Sequence, residues 1–141
     1  MDFQKLHGQH RAIVRLASDL MGVVGEVRTR EDAVEARLLL ERLDRVLGLH
    51  LELEDRTMMP ALMSSPDPKT RALAADCVEE MGGLAQVWNG HLATWAVERI
   101  HGEPDRFASA TRSLMEAVAR RVDREERELY PVAEAVADRA A

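Results

Sequence analysis

The sequence contains little of what several common classes of protein require. Among its 141 residues Cys77 is the single cysteine, which excludes an internal disulfide and any zinc or iron–sulfur site built from cysteine thiolates. We expect Cys77 to behave as a small buried apolar residue. Lysine and arginine number 19 against 25 aspartates and glutamates. The resulting net charge of −6 argues against a nucleic-acid binder, which needs basic residues to neutralise phosphates.

Long apolar runs and the motifs of common enzymes are also missing. No stretch approaches the ~20 apolar residues that a membrane helix requires, and residues 1–5 lack the apolar run of a signal peptide. We therefore expect a cytoplasmic protein with no membrane partner. There is no glycine-rich phosphate loop, no nucleophile elbow and no Cys/His pair to support phosphoryl transfer or hydrolysis. The sequence favours a protein that is not an enzyme, although it leaves that question open.

Helix-forming residues dominate what is present. Apolar residues recur at helical spacing, as at Leu39, Leu43 and Leu47, and there are no β-branched runs or Asn-Gly turns. Glycine and proline residues divide the chain into four segments. The predicted helices lie near residues 3–22, 30–61, 68–101 and 104–137.

The short connections between these segments decide the predicted architecture. Sequential helices joined by short loops pack as antiparallel neighbours. The sequence therefore predicts an all-α fold, an antiparallel up-down four-helix bundle that occupies residues 1–141 as a single domain.

The second half of the chain repeats the first. A shift of 71 residues places Glu54 on Glu125 and Pro60 on Pro131. The same shift also aligns apolar positions, namely Leu43 with Leu114, Leu47 with Val118 and Leu51 with Val122. The pattern predicts an internally duplicated helical hairpin, each copy carrying acidic residues before a proline.

His50 and Glu54 are spaced for a metal site on the second helix. They are four residues apart and so project from one helix face, and imidazole and carboxylate both suit divalent iron, manganese or zinc. Leu47 and Leu51 lie on the same stripe, so we expect the pair to face the interior, where an unpartnered carboxylate is costly.

Two more histidines, His7 and His10, lie three residues apart on the first helix. In an antiparallel hairpin the start of the first helix lies beside the end of the second. We therefore expect His10 to lie level with His50 and His7 level with Glu54. Three imidazoles and one carboxylate would then converge, although His7, close to the terminus, would equally suit a solvated surface.

These residues carry a resemblance to a known family. The segments that carry it are His10, residues 50–55, Met59-Pro60, residues 121–126 and Tyr130-Pro131. Together they resemble the hemerythrin-like HHE cation-binding domain over nearly the whole chain. The resemblance implies a non-haem diiron centre inside a four-helix bundle, held by two His…His-x-x-x-Glu repeats. The first half of this chain matches that pattern at His10, His50 and Glu54.

The second half departs from the family's pattern. The 71-residue shift puts Met81 where the third histidine would stand and Arg121 where the fourth would stand, so that only Glu125 matches. A thioether is a poor ligand for hard iron, and a guanidinium has no lone pair to offer. Arg121 can pair with Glu125, four residues further on.

Two interpretations of the site follow from this departure. In one, a metal is held by His10, His50 and Glu54, with Glu125 and His7 as further ligands. In the other, the site is relict and holds no metal. The two interpretations predict different positions for the Arg121 side chain. It should pair with the carboxylates if metal is absent and point away from them if metal is present.

His91 and the Gly82-Gly83 pair remain outside this pattern. His91 shares a helix face with Trp88 and Trp95, and we expect it to be a core histidine between the two indoles. Two glycines inside a helix cost about 1 kcal/mol each relative to alanine, so they indicate either a kink or a close approach by a neighbour.

Two functions from different classes fit these residues. The first is a metal-binding protein that senses dioxygen, nitric oxide or redox state, or that handles metal. Its cofactor would be non-haem iron, one or two ions, with zinc or manganese as alternatives, and its partners the metal and a small diatomic ligand. The second is a metal-free, degenerate bundle that binds a protein partner.

Overall fold

The computed structural model describes residues 1–140, and all of its regular structure is helical. No residue from 1 to 140 lies in a strand. The helices are α1 (Phe3–Val23), α2 (Arg30–Leu53), α3 (Met59–Met63), α4 (Pro68–Met81), α5 (Leu84–Thr94), α6 (Val97–Gly102), α7 (Pro104–Arg124) and α8 (Tyr130–Ala140). Two π-helical turns, π1 (Glu54–Met58) and π2 (Glu125–Leu129), join α2 to α3 and α7 to α8.

The third predicted helix, residues 68–101, is wrong as a single element. The chain divides there into α4, α5 and α6. The first break is at Gly82-Gly83, where Gly83 has a φ of +85° and Gly82 leaves the helical conformation. A Cβ on Gly82 would lie 2.2 Å from the Val78 carbonyl oxygen, so the backbone turns too tightly there for any larger residue. The glycine pair therefore marks a helix break, and the second break follows at Trp95.

The two π turns begin 71 residues apart, at the shift that aligns the two halves of the sequence. Each begins at a glutamate, Glu54 or Glu125, and each is closed by a backbone bond spanning five residues, as from the Met59 N–H to the Glu54 carbonyl. A proline follows within two residues of each turn. Because proline has no N–H and its ring crowds the carbonyl four residues earlier, the wider turn accommodates it without ending the helix.

Buried apolar residues form two clusters with a polar layer between them. Along α1 the order is Leu6 in the smaller cluster, then His10, then Ile13 in the larger cluster. The polar layer recurs on α7 and π2 between Val118 and Leu129. Cys77 is fully buried in the smaller cluster, as predicted. None of the helices within residues 1–140 is long and apolar enough to span a bilayer.

Candidate metal centre

The polar layer contains five buried groups that can carry charge. They are His10, His50, Glu54, Arg121 and Glu125, each at most 2% exposed. Helix α1 packs against both α2 and α7, which brings side chains distant in sequence to one place. One ligand atom from each of His10, His50, Glu54 and Glu125 lies within 4.8 Å of all the others.

Both imidazoles of this group point the same ring nitrogen inward. The Nε2 atoms of His10 and His50 lie 2.8 and 3.4 Å from Oε1 of Glu125. Their Nδ1 atoms face outward, toward Oε1 of Glu126 and Oε1 of Gln9 respectively, each at 2.7 Å. A carboxylate and an amide oxygen only accept hydrogen bonds, so each Nδ1 carries the proton that it donates. The inner nitrogens are thereby oriented as metal-binding histidines are in proteins.

The two carboxylates are held by different partners. Tyr130 is fully buried and its hydroxyl donates to Glu54 Oε2 at 2.6 Å. His50 Nε2 lies 3.0 Å from the other oxygen, Oε1. The ring of Tyr130 also stacks on that of His10, with the planes 4° apart and the centroids 4.9 Å apart. Tyr130 therefore fixes one carboxylate and one imidazole at once.

Arg121 crosses from α7 to both carboxylates. Its Nε donates to Glu125 Oε2 at 3.2 Å, the pairing that the four-residue spacing predicts. Its Nη2 lies 3.4 Å from Glu54 Oε1 and 2.9 Å from Oδ1 of Asp55. Within residues 1–139, every buried side-chain nitrogen and oxygen has a hydrogen-bond partner. This pairing corresponds to the arrangement that the sequence predicts for a metal-free site.

The mutual contacts set the charges of the group. Burial by itself would lower the pKa of His50, but contacts with Glu125 and Glu54 outweigh it and raise the pKa to about 9. Burial would likewise raise the pKa of Glu125. Hydrogen bonds from His10 and His50, with the charge of Arg121, instead hold that pKa well below its usual range. Burial raises the pKa of Glu54.

Two imidazoles and two carboxylates are a donor set that suits one divalent transition metal. The inward nitrogens and their outer hydrogen bonds fit such an ion. A second ion does not fit, because the guanidinium of Arg121 offers no lone pair and lies against both carboxylates. Met81, at the other altered position, is a half-buried thioether that packs against the smaller apolar cluster.

His7 lies outside the four-residue group. Its Nδ1 is 2.9 Å from Oε1 of Glu126 and its Nε2 is 3.2 Å from Oε1 of Glu134 on α8, and its side chain is 27% exposed. The expectation that it lies level with Glu54 therefore finds no support in these contacts. The hydrogen bond that His7 donates to Glu126 outweighs burial and raises the pKa of His7. Because Glu126 also accepts from His10, that carboxylate links His7 to the group. The ring of His7 also packs edge-on against that of Tyr130, with the centroids 5.2 Å apart.

His91 is buried apart from the polar layer, as the sequence predicts. Its ring lies 6.2 Å from that of Trp88 and 6.3 Å from that of Trp95, with Thr111 Oγ1 at 3.0 Å from its Nε2. Burial, assisted by the charge of Arg37, lowers the pKa of His91 to about 4. It is a neutral core histidine at physiological pH.

The fold and this group define a class, that of helical proteins with a buried cluster of imidazole and carboxylate side chains. The family model of the hemerythrin HHE cation-binding domain matches residues 1–133. The chain therefore belongs to the hemerythrin HHE cation-binding domain family, and the resemblance noted in the sequence is confirmed. Searches of curated proteins and of solved structures return no significant match.

Proposed function

We propose that this protein binds a metal ion, non-haem iron in preference to zinc or manganese, through His10, His50, Glu54 and Glu125. The observation that carries the proposal is the convergence of these four buried side chains within 4.8 Å. The family supplies independent support, because its domain binds cations. The outward hydrogen bonds of both imidazoles are a further support, since they fix the tautomer that leaves each Nε2 available.

The proposed role is sensing of dioxygen, nitric oxide or redox state, or handling of the metal. A bound iron would supply affinity for a small diatomic ligand and one-electron redox chemistry. The protein's own residues would hold the ion in a buried place and exclude bulk water from it. The four ligands come from α1, α2 with π1, and π2, so a change at the ion would act on the packing of three segments together.

Two measurements test this function in succession. Elemental analysis of protein purified from iron-replete cells should find iron, and manganese or zinc in its place would correct the metal's identity. Hydrogen exchange of α2 and α7 in the metal-loaded protein should then change on exposure to nitric oxide or dioxygen. Unchanged exchange with metal present would reject sensing and leave metal handling.

One observation favours a second candidate, a metal-free degenerate domain that binds a protein partner. Arg121 contacts both carboxylates of the group, which gives the layer a complete set of hydrogen bonds without an ion. In that case the purified protein should contain no metal, and added metal should leave its melting temperature unchanged.

The remaining parts of the proposal concern architecture and location. We propose that α1, α2 with α3, the series α4–α6, and α7 with α8 form the four antiparallel legs of one bundle spanning residues 1–141. The π turns at positions 71 residues apart support the duplicated hairpin. A cytoplasmic location is part of the proposal and is supported by a single, buried cysteine.

A further inference from the structure

We infer that Arg121 takes the place of a second metal ion, so that the polar layer is built for one divalent cation and one guanidinium. This inference rests on the proposed function for the first ion and concerns the second. Arg121 is 2% exposed, yet its guanidinium lies within 3.4 Å of carboxylate oxygens on Glu54, Glu125 and Asp55. A fixed cation therefore already lies against the carboxylates that would have to hold a second ion.

The charges of Arg121 and the carboxylates that it contacts balance with one divalent ion and not with two. Its three carboxylate partners are the buried Glu54 and Glu125 and the exposed Asp55, which contribute three negative charges when ionised, and Arg121 contributes one positive charge. A single divalent ion supplies the remaining two. A second divalent ion would add two uncompensated positive charges beside the guanidinium, in a layer where charges are screened little.

The stability of the metal-free protein also depends on Arg121. Two buried carboxylates without a cation would strongly destabilise the fold. Arg121 offsets part of their charge, because its guanidinium lies 3.2 Å from Glu125 Oε2 and 3.4 Å from Glu54 Oε1 and stays protonated in proteins. Arg121 thus acts as a permanent part of the site and not as a competitor for the first ion.

The test compares Arg121→Gln with Arg121→Lys and with a matched control, Arg124→Gln. Arg124 lies one turn further along α7, and its partners Asp76, Glu80 and Glu128 are outside the polar layer. Each metal-free protein is titrated with Mn²⁺ and bound metal is counted by elemental analysis after desalting. Thermal melting in chelator is measured in parallel.

We expect one Mn²⁺ per chain for the wild type, Arg121→Lys and Arg124→Gln, and a number approaching two for Arg121→Gln. In chelator, Arg121→Gln should melt about 10 °C or more below the wild type, because it leaves a buried carboxylate unpaired. Arg121→Lys should recover most of that loss. Two ions in the wild type, or an unchanged ion count and melting temperature in Arg121→Gln, would overturn the inference.

A double variant keeps the test decisive if Arg121→Gln does not fold. Glu54→Gln with Arg121→Gln removes one charge of each sign, so the metal-free protein should regain stability relative to Arg121→Gln alone. No recovery would contradict the assigned pairing. If neither the wild type nor Arg121→Gln binds metal, while Arg121→Gln melts lower in chelator and the double variant recovers, the proposed function fails and the assigned pairing of Arg121 stands. If the wild type binds no metal while Arg121→Gln binds one ion, Arg121 excludes the first ion and the inference is overturned as well.

Discussion

The neutral state of His91 makes a quantitative prediction about stability and pH. His91 has a folded pKa of about 4 against 6.5 in the unfolded chain. The unfolded state therefore binds more protons between these values, and stability falls as pH falls through them. The contribution is fully present above pH 6.5. This difference between the two pKa values, at 1.36 kcal/mol per pH unit, corresponds to about 3 kcal/mol of the free energy of unfolding. About 2 kcal/mol of it is lost between pH 7 and pH 5.

The variant His91→Gln lacks the titrating ring and should not show this loss. Between pH 7 and pH 5, in chelator, we expect the wild type to lose about 2 kcal/mol more than His91→Gln, or about 7 °C in melting temperature. Other groups titrate in both proteins and cancel in the comparison. His101→Gln, at an exposed histidine, should behave as the wild type. Equal losses in wild type and His91→Gln would refute the assignment of a neutral, buried His91.

Two further predictions concern the outer support of the site and the helix break. Gln9→Leu removes the acceptor from the Nδ1 of His50 and should weaken metal binding about 10- to 100-fold by calorimetry, with the exposed Gln4→Leu unchanged. Gly83→Ala should lower the free energy of unfolding by about 1–2 kcal/mol, because φ is +85° and no neighbour lies within 4 Å of the added methyl group. Gly90→Ala, at an unstrained helical position, should be neutral or stabilising, and equal effects of the two glycine variants would exclude backbone strain as the cause.

Much of the site could be predicted because its spacing is helical. His50 and Glu54 lie four residues apart, and the 71-residue repeat added Glu125, so three of the four converging side chains followed from periodicity. The level of His10 followed from the predicted antiparallel pairing of the first two helices, and its ring centroid lies 4.6 Å from that of His50.

The role of Tyr130 could not be predicted from helical spacing. It follows Glu125 by five residues, which in an α-helix at 100° per residue points about 140° away. The π turn between them reduces that angle and brings the Tyr130 hydroxyl to Glu54. The two prolines are the signal that sequence reasoning had available, since each follows a π turn in the same register.

The outer partners were missed for a different reason. Glu126 belongs to an acidic run that reads as a solvated face, yet its carboxylate accepts from both His7 and His10. Gln9, half-buried on α1, carries no charge that would single it out. Such contacts depend on how two helices are rotated against each other, which apolar periodicity fixes only to within part of a turn.

The measurement that tests the central claim most directly is the metal stoichiometry of His50→Ala. Metal-free wild-type protein titrated with Mn²⁺ in a calorimeter should bind one ion per chain. His50→Ala should show no saturable binding, and His101→Ala should match the wild type. A wild type that binds nothing, or a His50→Ala that binds as the wild type does, would contradict the assignment of this buried group as a metal centre.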